Sequence, residues 1–356
     1  MSIIYKFFLL IFVSLVISGC STLSVQKTDI PSFPFANTNL LVSSIPDRCI
    51  SVINVDTKEE IGAIKHDEFR LVQDFAVTDN NYLYLPLNAD PETLEKRVLL
   101  LSLTEDLTSS IEVNDGPVQV RLGNGEYSLL THNAITENPG HFDVTIMSKN
   151  GERQLYTVQM PGLVKDVLLR NNMAYLALED WKDMTNHQLI EFDLSQRKQI
   201  RSLPLPAPPV SLTASAYEPN VLYVALQRLS NEGSCMDAPL SEILEVRLDS
   251  YTSRTITKLS WPGKLVELDQ EHVLVAEYCG GNEEHLRKVN IKTGQVVQER
   301  VVGASPFDLF LLPDNTIAAT ITDEDKVVFL EPTTLAIQKE VKLSCVLPRV
   351  MQLYER

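Results

Sequence analysis

The sequence predicts an all-β fold built from one repeated four-stranded unit, and three observations support this. Pro306–Ser344 contains four short β-prone runs separated by turn residues. No segment of this length keeps a helical period. A position near the start of the first run, usually polar and here called the landmark position, recurs along the chain. Its copies are separated by 45, 47, 45, 55, 42 and 42 residues. Its copies are Asp74, Gln119, Asp166, Ser211, Val266, Asp308 and Val350. This period is typical of propeller blades, so we predict a seven-bladed β-propeller of four-stranded antiparallel blades.

The two ends of the chain are predicted to share one blade. The N-terminal part supplies only three strands, Leu40–Ser44, Ile50–Val55 and Glu60–Lys65. The missing innermost strand is Arg349–Leu353, at the C-terminus. Pairing these segments closes the ring and removes the exposed edges of an open array.

The chain resembles the YVTN-type seven-bladed propellers, a large bacterial family. Third strands that run into a polar turn carry the resemblance, as in INVDTKEEIGAI at Ile53 and VNIKTGQVV at Val289. Only Thr293-Gly294 keeps the Thr-Gly dipeptide of the family, and Leu222-Tyr223-Val224-Ala225 approaches its strand motif. The resemblance implies the fold over Asn39–Arg356, but its motifs carry no activity.

The N-terminus has the pattern of a secretory signal. Phe7–Ile17 is an apolar run of 11 residues that follows Lys6, shorter than the roughly 20 residues of a bilayer span. Ile17-Ser18-Gly19-Cys20 resembles the lipobox of bacterial lipoproteins. The resemblance implies cleavage after Gly19 and lipidation of Cys20. In Gram-negative lipoproteins, a residue such as Ser21 at the next position implies sorting to the outer membrane.

Composition separates a leader, a tether and a domain. We expect a signal peptide over 1–19, the lipidated Cys20 and a flexible tether over 20–38, and the propeller over 39–356. Without Lys6 the chain holds 30 Lys and Arg against 47 Asp and Glu. Such an acidic surface repels phosphate backbones, so nucleic acid is not an expected partner.

Four cysteines remain once Cys20 carries lipid, and an oxidising compartment would let them pair. Cys49 begins a strand of blade one, and Cys345 ends the last strand of the neighbouring blade seven. Cys235 and Cys279 lie in equivalent connections of blades five and six. We therefore predict the disulfides Cys49–Cys345 and Cys235–Cys279.

The landmark position supplies the candidate ligand site, because innermost strands line the channel of a propeller. Its polar members are Asp74, Gln119, Asp166, Ser211 and Asp308. Buried carboxylates need partners, and two interpretations stay open. Each Asp could accept backbone N–H groups from the next blade. Alternatively, Asp74, Asp166 and Asp308 could converge on Ca²⁺, or Lys165 and Arg349 could neutralise them. No other cofactor is expected.

Catalytic motifs do not appear in the sequence: it has no GxSxG, P-loop, dinucleotide fingerprint or HExxH. Long second-to-third strand connections, including Asp180–His187 and Arg228–Ser241, would make one face of the propeller suitable for binding. We therefore expect a lipid-anchored binding scaffold for an envelope protein or glycan rather than an enzyme. The alternatives are a lactonase-like hydrolase, with Arg349 and Glu267 beside the channel mouth, and a structural subunit of an envelope complex.

Overall fold

A computed structural model describes residues 24–27 (backbone only), 35–44, 49–66, 73–87, 96–105, 107–113, 116–123, 125–132, 142–228, 238–279 and 283–355. These residues form seven antiparallel sheets arranged as the blades of a β-propeller. The predicted fold class is therefore confirmed. Among the described residues, no helix is long and apolar enough to cross a membrane. The signal sequence, the lipobox and Cys20 lie outside them.

The blades follow one another along the chain, each with its innermost strand first, except that blade one takes its innermost strand from the C-terminus. Blade one comprises β29 (Pro348–Glu355), β2 (Thr38–Ser44), β3 (Cys49–Asn54) and β4 (Glu59–Lys65). Blade two comprises β5 (Ala76–Val77), β6 (Tyr82–Pro86), β7 (Arg97–Ser102) and β8 (Leu107–Glu112). Blade three comprises β9 (Pro117–Leu122), β10 (Tyr127–His132), β11 (Phe142–Ser148) and β12 (Gln154–Met160). Blade four comprises β13 (Leu163–Arg170), β14 (Met173–Glu179), β15 (Gln188–Asp193) and β16 (Lys198–Pro204).

The last three blades have the same order. Blade five comprises β17 (Pro209–Ala214), β18 (Val221–Leu226), β19 (Ser241–Arg247) and β20 (Thr252–Leu259). Blade six comprises β21 (Pro262–Asp269), β22 (His272–Glu277), β23 (Glu284–Asn290) and β24 (Val296–Gly303). Blade seven comprises β25 (Pro306–Leu311), β26 (Ile317–Ile321), β27 (Lys326–Leu330) and β28 (Ile337–Lys342), with a 3₁₀ turn at Thr322–Glu324.

Blade two carries a fifth strand. Within the segment predicted as a tether, β1 (Ser24–Lys27) pairs antiparallel with β8. An outermost strand presents unpaired backbone groups on its free edge, and β1 satisfies them there. Part of the predicted tether is therefore paired with the propeller.

The core lies between blades rather than within them. Successive side chains of a strand point to opposite faces, so each middle strand packs against both neighbouring blades. Leu40 of β2 contacts the cluster shared with blade seven, and Leu41 contacts the cluster shared with blade two. This arrangement explains why middle strands such as β18 are buried along their whole length. Outermost strands such as β16 are largely exposed.

The ring closes as the sequence predicts. Strand β29 pairs with β2 over Thr38–Ser44, next to the cluster of buried residues between blades seven and one. A disulfide joins Cys49 to Cys345, with 6.1 Å between their Cα atoms, so this predicted pairing is confirmed. Cys279 is also disulfide-bonded. Cys235 lies outside the described residues, so the pairing of Cys235 with Cys279 stays a prediction.

Candidate ligand site at the channel end

Innermost strands begin with an irregularity that directs side chains toward the channel. Five of them start at proline, namely Pro117, Pro209, Pro262, Pro306 and Pro348. Proline lacks an N–H donor and fits the first position of a strand. The pairing register then shifts, for example between Pro209 and Ser211 in β17. Bulges of this kind re-aim side chains at the rims of closed sheets.

These side chains surround a cavity of about 550 Å³ at the end of the channel. Its lining comes from the innermost strands or their immediate flanks in all seven blades, and from Gln227 and Tyr278, which follow the second strands of blades five and six. All five polar residues predicted for the candidate site line this cavity: Asp74, Gln119, Asp166, Ser211 and Asp308. The volume lies within the range of small-molecule sites, about 300–1,000 Å³.

Each landmark carboxylate accepts a backbone N–H group from the next blade. Asp74 Oδ2 accepts the N–H of Val120 at 3.1 Å. Asp166 Oδ2 accepts that of Leu212 at 2.8 Å. Asp308 Oδ2 accepts that of Met351 at 2.8 Å. In every case the donor is the residue after the landmark position of the next blade.

The landmark donors make the complementary bond. Gln119 Nε2 donates to the carbonyl of Lys165 at 2.8 Å, and Ser211 Oγ donates to that of Gly263 at 2.7 Å. Lys165 precedes the landmark residue Asp166. Gly263 precedes Lys264, which takes the landmark position of blade six, as shown below. The chemical type of the side chain therefore decides which backbone group it bonds. These contacts correspond to the structural interpretation of the landmark residues.

The register corrects the landmark position in blade six. The sequence placed Val266 there, but Val266 pairs with Leu274 and packs in the cluster between blades six and seven. Lys264 precedes Leu265, the first residue paired after the irregularity, and lines the cavity. The error is two residues: Lys264 lies two residues after Pro262, as Ser211 lies two residues after Pro209.

Arg121 neutralises two of the carboxylates, which the sequence analysis missed. Its guanidinium donates to Asp74 Oδ2 through Nη1 and to Asp166 Oδ1 through Nη2, the latter at 3.0 Å. Lys264 Nζ lies 3.7 Å from Asp166 Oδ2. The expected cations are engaged elsewhere, since Lys165 pairs with Glu179 at 3.1 Å and Arg349 lies over the ring of Phe307. Arg121 shares a strand face with Gln119, and this period-two spacing was the available signal.

Burial and these cations shift the carboxyl pKa values in different directions. Burial raises the pKa of Asp74, although Arg121 acts to lower it. Burial likewise raises the pKa of Asp308, against the opposing effects of Lys264 and the Met351 N–H. Burial also acts to raise the pKa of Asp166, but Lys264 and Arg121 outweigh it and the pKa is lowered. The cations therefore decide which carboxylate keeps its charge most firmly.

The donor set does not fit the calcium site offered as the second interpretation. Asp74 and Asp166 direct oxygens at one guanidinium and at backbone N–H groups. Within the described ranges, no group of three or more His, Cys, Asp or Glu side chains could hold a metal ion. Calcium binding stays a prediction.

Glu267, one of the two residues considered for a lactonase-like reaction, is held by hydrogen bonds from blade five. Its carboxylate accepts the hydroxyls of Ser215 and Tyr223, each at 2.9 Å, and the N–H of Ala216 at 2.6 Å. These contacts join blade six to blade five. Only the other residue, Arg349, lines the cavity.

Most of the long connections predicted to form the binding face lie outside the described residues, including parts of 88–95, 133–141 and 229–237. Asp180–His187 is described. The Asp180 carboxylate accepts the N–H groups of Lys182 and Asn186 at 3.1 and 3.0 Å, which fixes the connection as a compact turn. Trp181 stands 46% exposed on it.

No protein-family model matches the chain, and no curated protein matches it. Solved structures share its fold at low identity. A putative 6-phosphogluconolactonase from Bacteroides fragilis is 11% identical, with a TM-score of 0.64 over 91% of this chain and all (100%) of that chain. A protein from Lactobacillus plantarum is 11% identical, with a TM-score of 0.65 over 90% of this chain and 100% of that chain.

A third similar structure is the dihydro-heme d1 dehydrogenase NirN. It is 11% identical, with a TM-score of 0.60 over 93% of this chain and 79% of that chain. These proteins have different names and chemistries but one architecture, so the likeness carries no activity to this chain. What the comparisons share with this chain is the seven-bladed β-propeller fold.

Proposed function

We propose that this chain is a lipid-anchored binding propeller of the bacterial cell envelope, which takes a glycan or protein ligand at the cavity end of its channel. The observation that carries the proposal is the cavity of about 550 Å³ lined from all seven blades. Concave sites lined by apolar surface and a few polar groups are the usual place for a ligand.

The polar groups of the cavity support binding rather than bond cleavage. The landmark acids and donors are engaged in bonds between blades, and Arg121 is engaged by Asp74 and Asp166. A hydrolase needs a nucleophile or general base within hydrogen-bond reach of its reacting atom. The groups left over are cations and amides, which hold ligands without taking protons from them.

The proposed location in the cell envelope rests on the lipobox at Ile17–Cys20. Several acyl chains on one cysteine anchor a protein stably, at about 0.8 kcal/mol for each buried CH₂ group. An outer-membrane location follows from Ser21. We expect the ligand to belong to the same compartment.

Binding and fractionation of the full-length protein test the proposal. Detergent-solubilised wild type should bind envelope saccharides or a native crosslinking partner, and Val118→Trp should abolish that binding because Val118 lines the cavity. Trp181→Ala, on the described outer connection, is the matched control for a ligand held in the cavity.

The location is tested with Cys20→Ala, which should be released from the membrane fraction. A ligand that binds Val118→Trp as tightly as wild type, or a Cys20→Ala protein that stays acylated, would contradict the proposal. Hydrolysis of a lactone that depends on Arg349 would favour the hydrolase instead.

A further inference from the structure

Two cations at the cavity, Arg349 and Lys264, form no ion pair closer than 3.7 Å with the residues that the structure describes. Arg349 forms no ion pair with a described residue, and its guanidinium lies 4.4 Å from the centroid of the Phe307 ring. Lys264 Nζ lies 3.7 Å from Asp166 and also interacts electrostatically with Asp308, but it forms no closer ion pair with a described residue. By contrast, the charges of Arg121 and Lys165 are each compensated by a carboxylate. The molecule as a whole carries a formal charge of −16, so unpaired positive charge here is a local exception.

The strands that carry these two cations lie on either side of blade seven. Lys264 belongs to β21 of blade six, and Arg349 belongs to β29 of blade one. Strand β25 of blade seven lies between them and contributes Phe307. Tyr278 lies next to Phe307, with 6.1 Å between ring centroids. A ligand at this wall would meet positive charge on both sides and aromatic rings between.

The charge of the lining limits the ligand to a single negative charge. Three carboxylates, Asp74, Asp166 and Asp308, share the cavity with the cations. Both a carboxylate and a phosphate can form paired hydrogen bonds with a guanidinium, but these carboxylates repel a group with two negative charges more strongly than a group with one. The cavity therefore favours a monocarboxylate over a phosphate monoester.

Amide side chains determine what else the ligand carries. Gln73, Gln119, Gln227 and Gln352 line the cavity. The side-chain amides of Gln73 and Gln352 form no hydrogen bond with the part of the chain that the structure describes. An amide both donates and accepts, which matches hydroxyl groups. The rings of Phe307 and Tyr278 offer an apolar surface for the C–H face of a sugar ring.

We propose that the cavity binds an acidic sugar through its carboxylate, with Arg349 and Lys264 on the carboxylate, Phe307 and Tyr278 against the ring, and the glutamine amides on the hydroxyls. This inference rests on the proposed function and names the chemical class of its ligand. The binding is reversible and involves no covalent step.

Calorimetry with three probes tests the inference on the full chain: D-glucuronate, D-glucose and D-glucose 6-phosphate. Glucuronate should bind at least about tenfold more tightly than either of the others, because a charge-assisted hydrogen bond accounts for about that factor or more. Arg349→Met and Lys264→Met should each weaken glucuronate binding about tenfold or more. Raising the salt concentration should weaken it in wild type.

Lys292→Met is the matched control, because Lys292 is exposed, pairs with Glu271 and lies outside the cavity lining. It should bind glucuronate as wild type does, and unchanged melting would show that Arg349→Met keeps the ring intact. Equal affinity for glucose and glucuronate, tighter binding of the 6-phosphate, no binding of any probe, or wild-type affinity in Arg349→Met overturns the inference. A neutral saccharide that binds wild type but not Val118→Trp would overturn the inference while the proposed function stands.

Discussion

His187 is the buried histidine that holds the second-to-third strand connection of blade four. Its Nδ1 accepts the N–H of Asp180 at 3.1 Å, and its Nε2 lies 3.1 Å from the carbonyl of Met184. A carbonyl can only accept, so the proton of the neutral ring is on Nε2. Protonation of Nδ1 would break the bond to Asp180, so the connection depends on the neutral ring.

Acidification should weaken this connection. Burial lowers the pKa of His187 below its usual 6.5, because the charged ring would lose solvation. The unfolded chain therefore takes up the proton first as the pH falls. The stability that the neutral ring contributes is complete above 6.5 and is lost below it, toward the folded pKa. We expect the melting temperature to fall more between about pH 7.5 and about pH 5.5 in wild type than in His187→Gln.

Amide hydrogen exchange at Asp180 reports the same event locally, since its N–H donates to the ring. Exchange of a free amide slows as the pH falls in this range, so the quantity to compare is the protection factor of the Asp180 N–H, which should be smaller at the lower pH in wild type. Identical pH dependence of melting in wild type and His187→Gln would contradict the prediction.

At the scale of elements, innermost strands are linked in sequence around the channel. Each polar landmark side chain bonds the backbone of the next innermost strand, by accepting an N–H or donating to a carbonyl. The bond replaces solvent for groups that the register irregularities leave without partners in their own sheet. Hydrogen bonds and the apolar clusters between blades therefore hold the same pairs of blades together.

Asp308→Ala should destabilise the contact between blades seven and one. It removes the acceptor for the N–H groups of Met351 and Leu309, at 2.8 and 3.0 Å. Each buried donor left without a partner costs about 1–3 kcal/mol. The free energy of unfolding in denaturant measures the effect. Glu271→Ala is the control, since Glu271 pairs with Lys292 in solvent, and it should change the stability little. Equal effects of the two substitutions would argue against a structural role for Asp308.

At the scale of the molecule, the ends of the chain are structurally interdependent. Strand β29 provides the innermost strand of blade one and contacts blades seven and two. The disulfide between Cys49 and Cys345 spans 296 residues and joins blade one to the end of blade seven. A ring closed in this way leaves only short, protected strand edges at the channel.

Deletion of residues 347–356 should open the ring. The truncated chain loses β29, so β2 keeps unpaired backbone groups and the cluster around Phe329 loses Met351. We expect aggregation or non-cooperative unfolding, measured by calorimetry and light scattering. Cys49→Ala/Cys345→Ala is the control: it keeps β29 and should unfold cooperatively, with stability lowered by about 2–5 kcal/mol. Wild-type melting of the truncated chain would refute the role of β29.

Local patterns were enough to predict most of the fold. Strand runs between turn residues depend on residues close in sequence, and their repeat predicted the blades. Closure by Arg349–Leu353 followed from counting strands, and Cys49–Cys345 followed from the order of the blades. The five polar landmark residues were found because a polar residue near the start of a strand is visible in one strand alone.

Only the tertiary structure decided which groups meet at the channel. Lys264 rather than Val266 lines the channel in blade six, although Lys264 follows Pro262 at the same spacing as Ser211 follows Pro209. Arg121 bridges Asp74 and Asp166 of two other blades, and Arg349 lies over Phe307 of a neighbouring blade. The sequence by itself determined the four strands of each blade and the order of the blades, because these depend on local periodicity. The partners of the charged groups depend on distances between blades, and those exist only once the ring has closed.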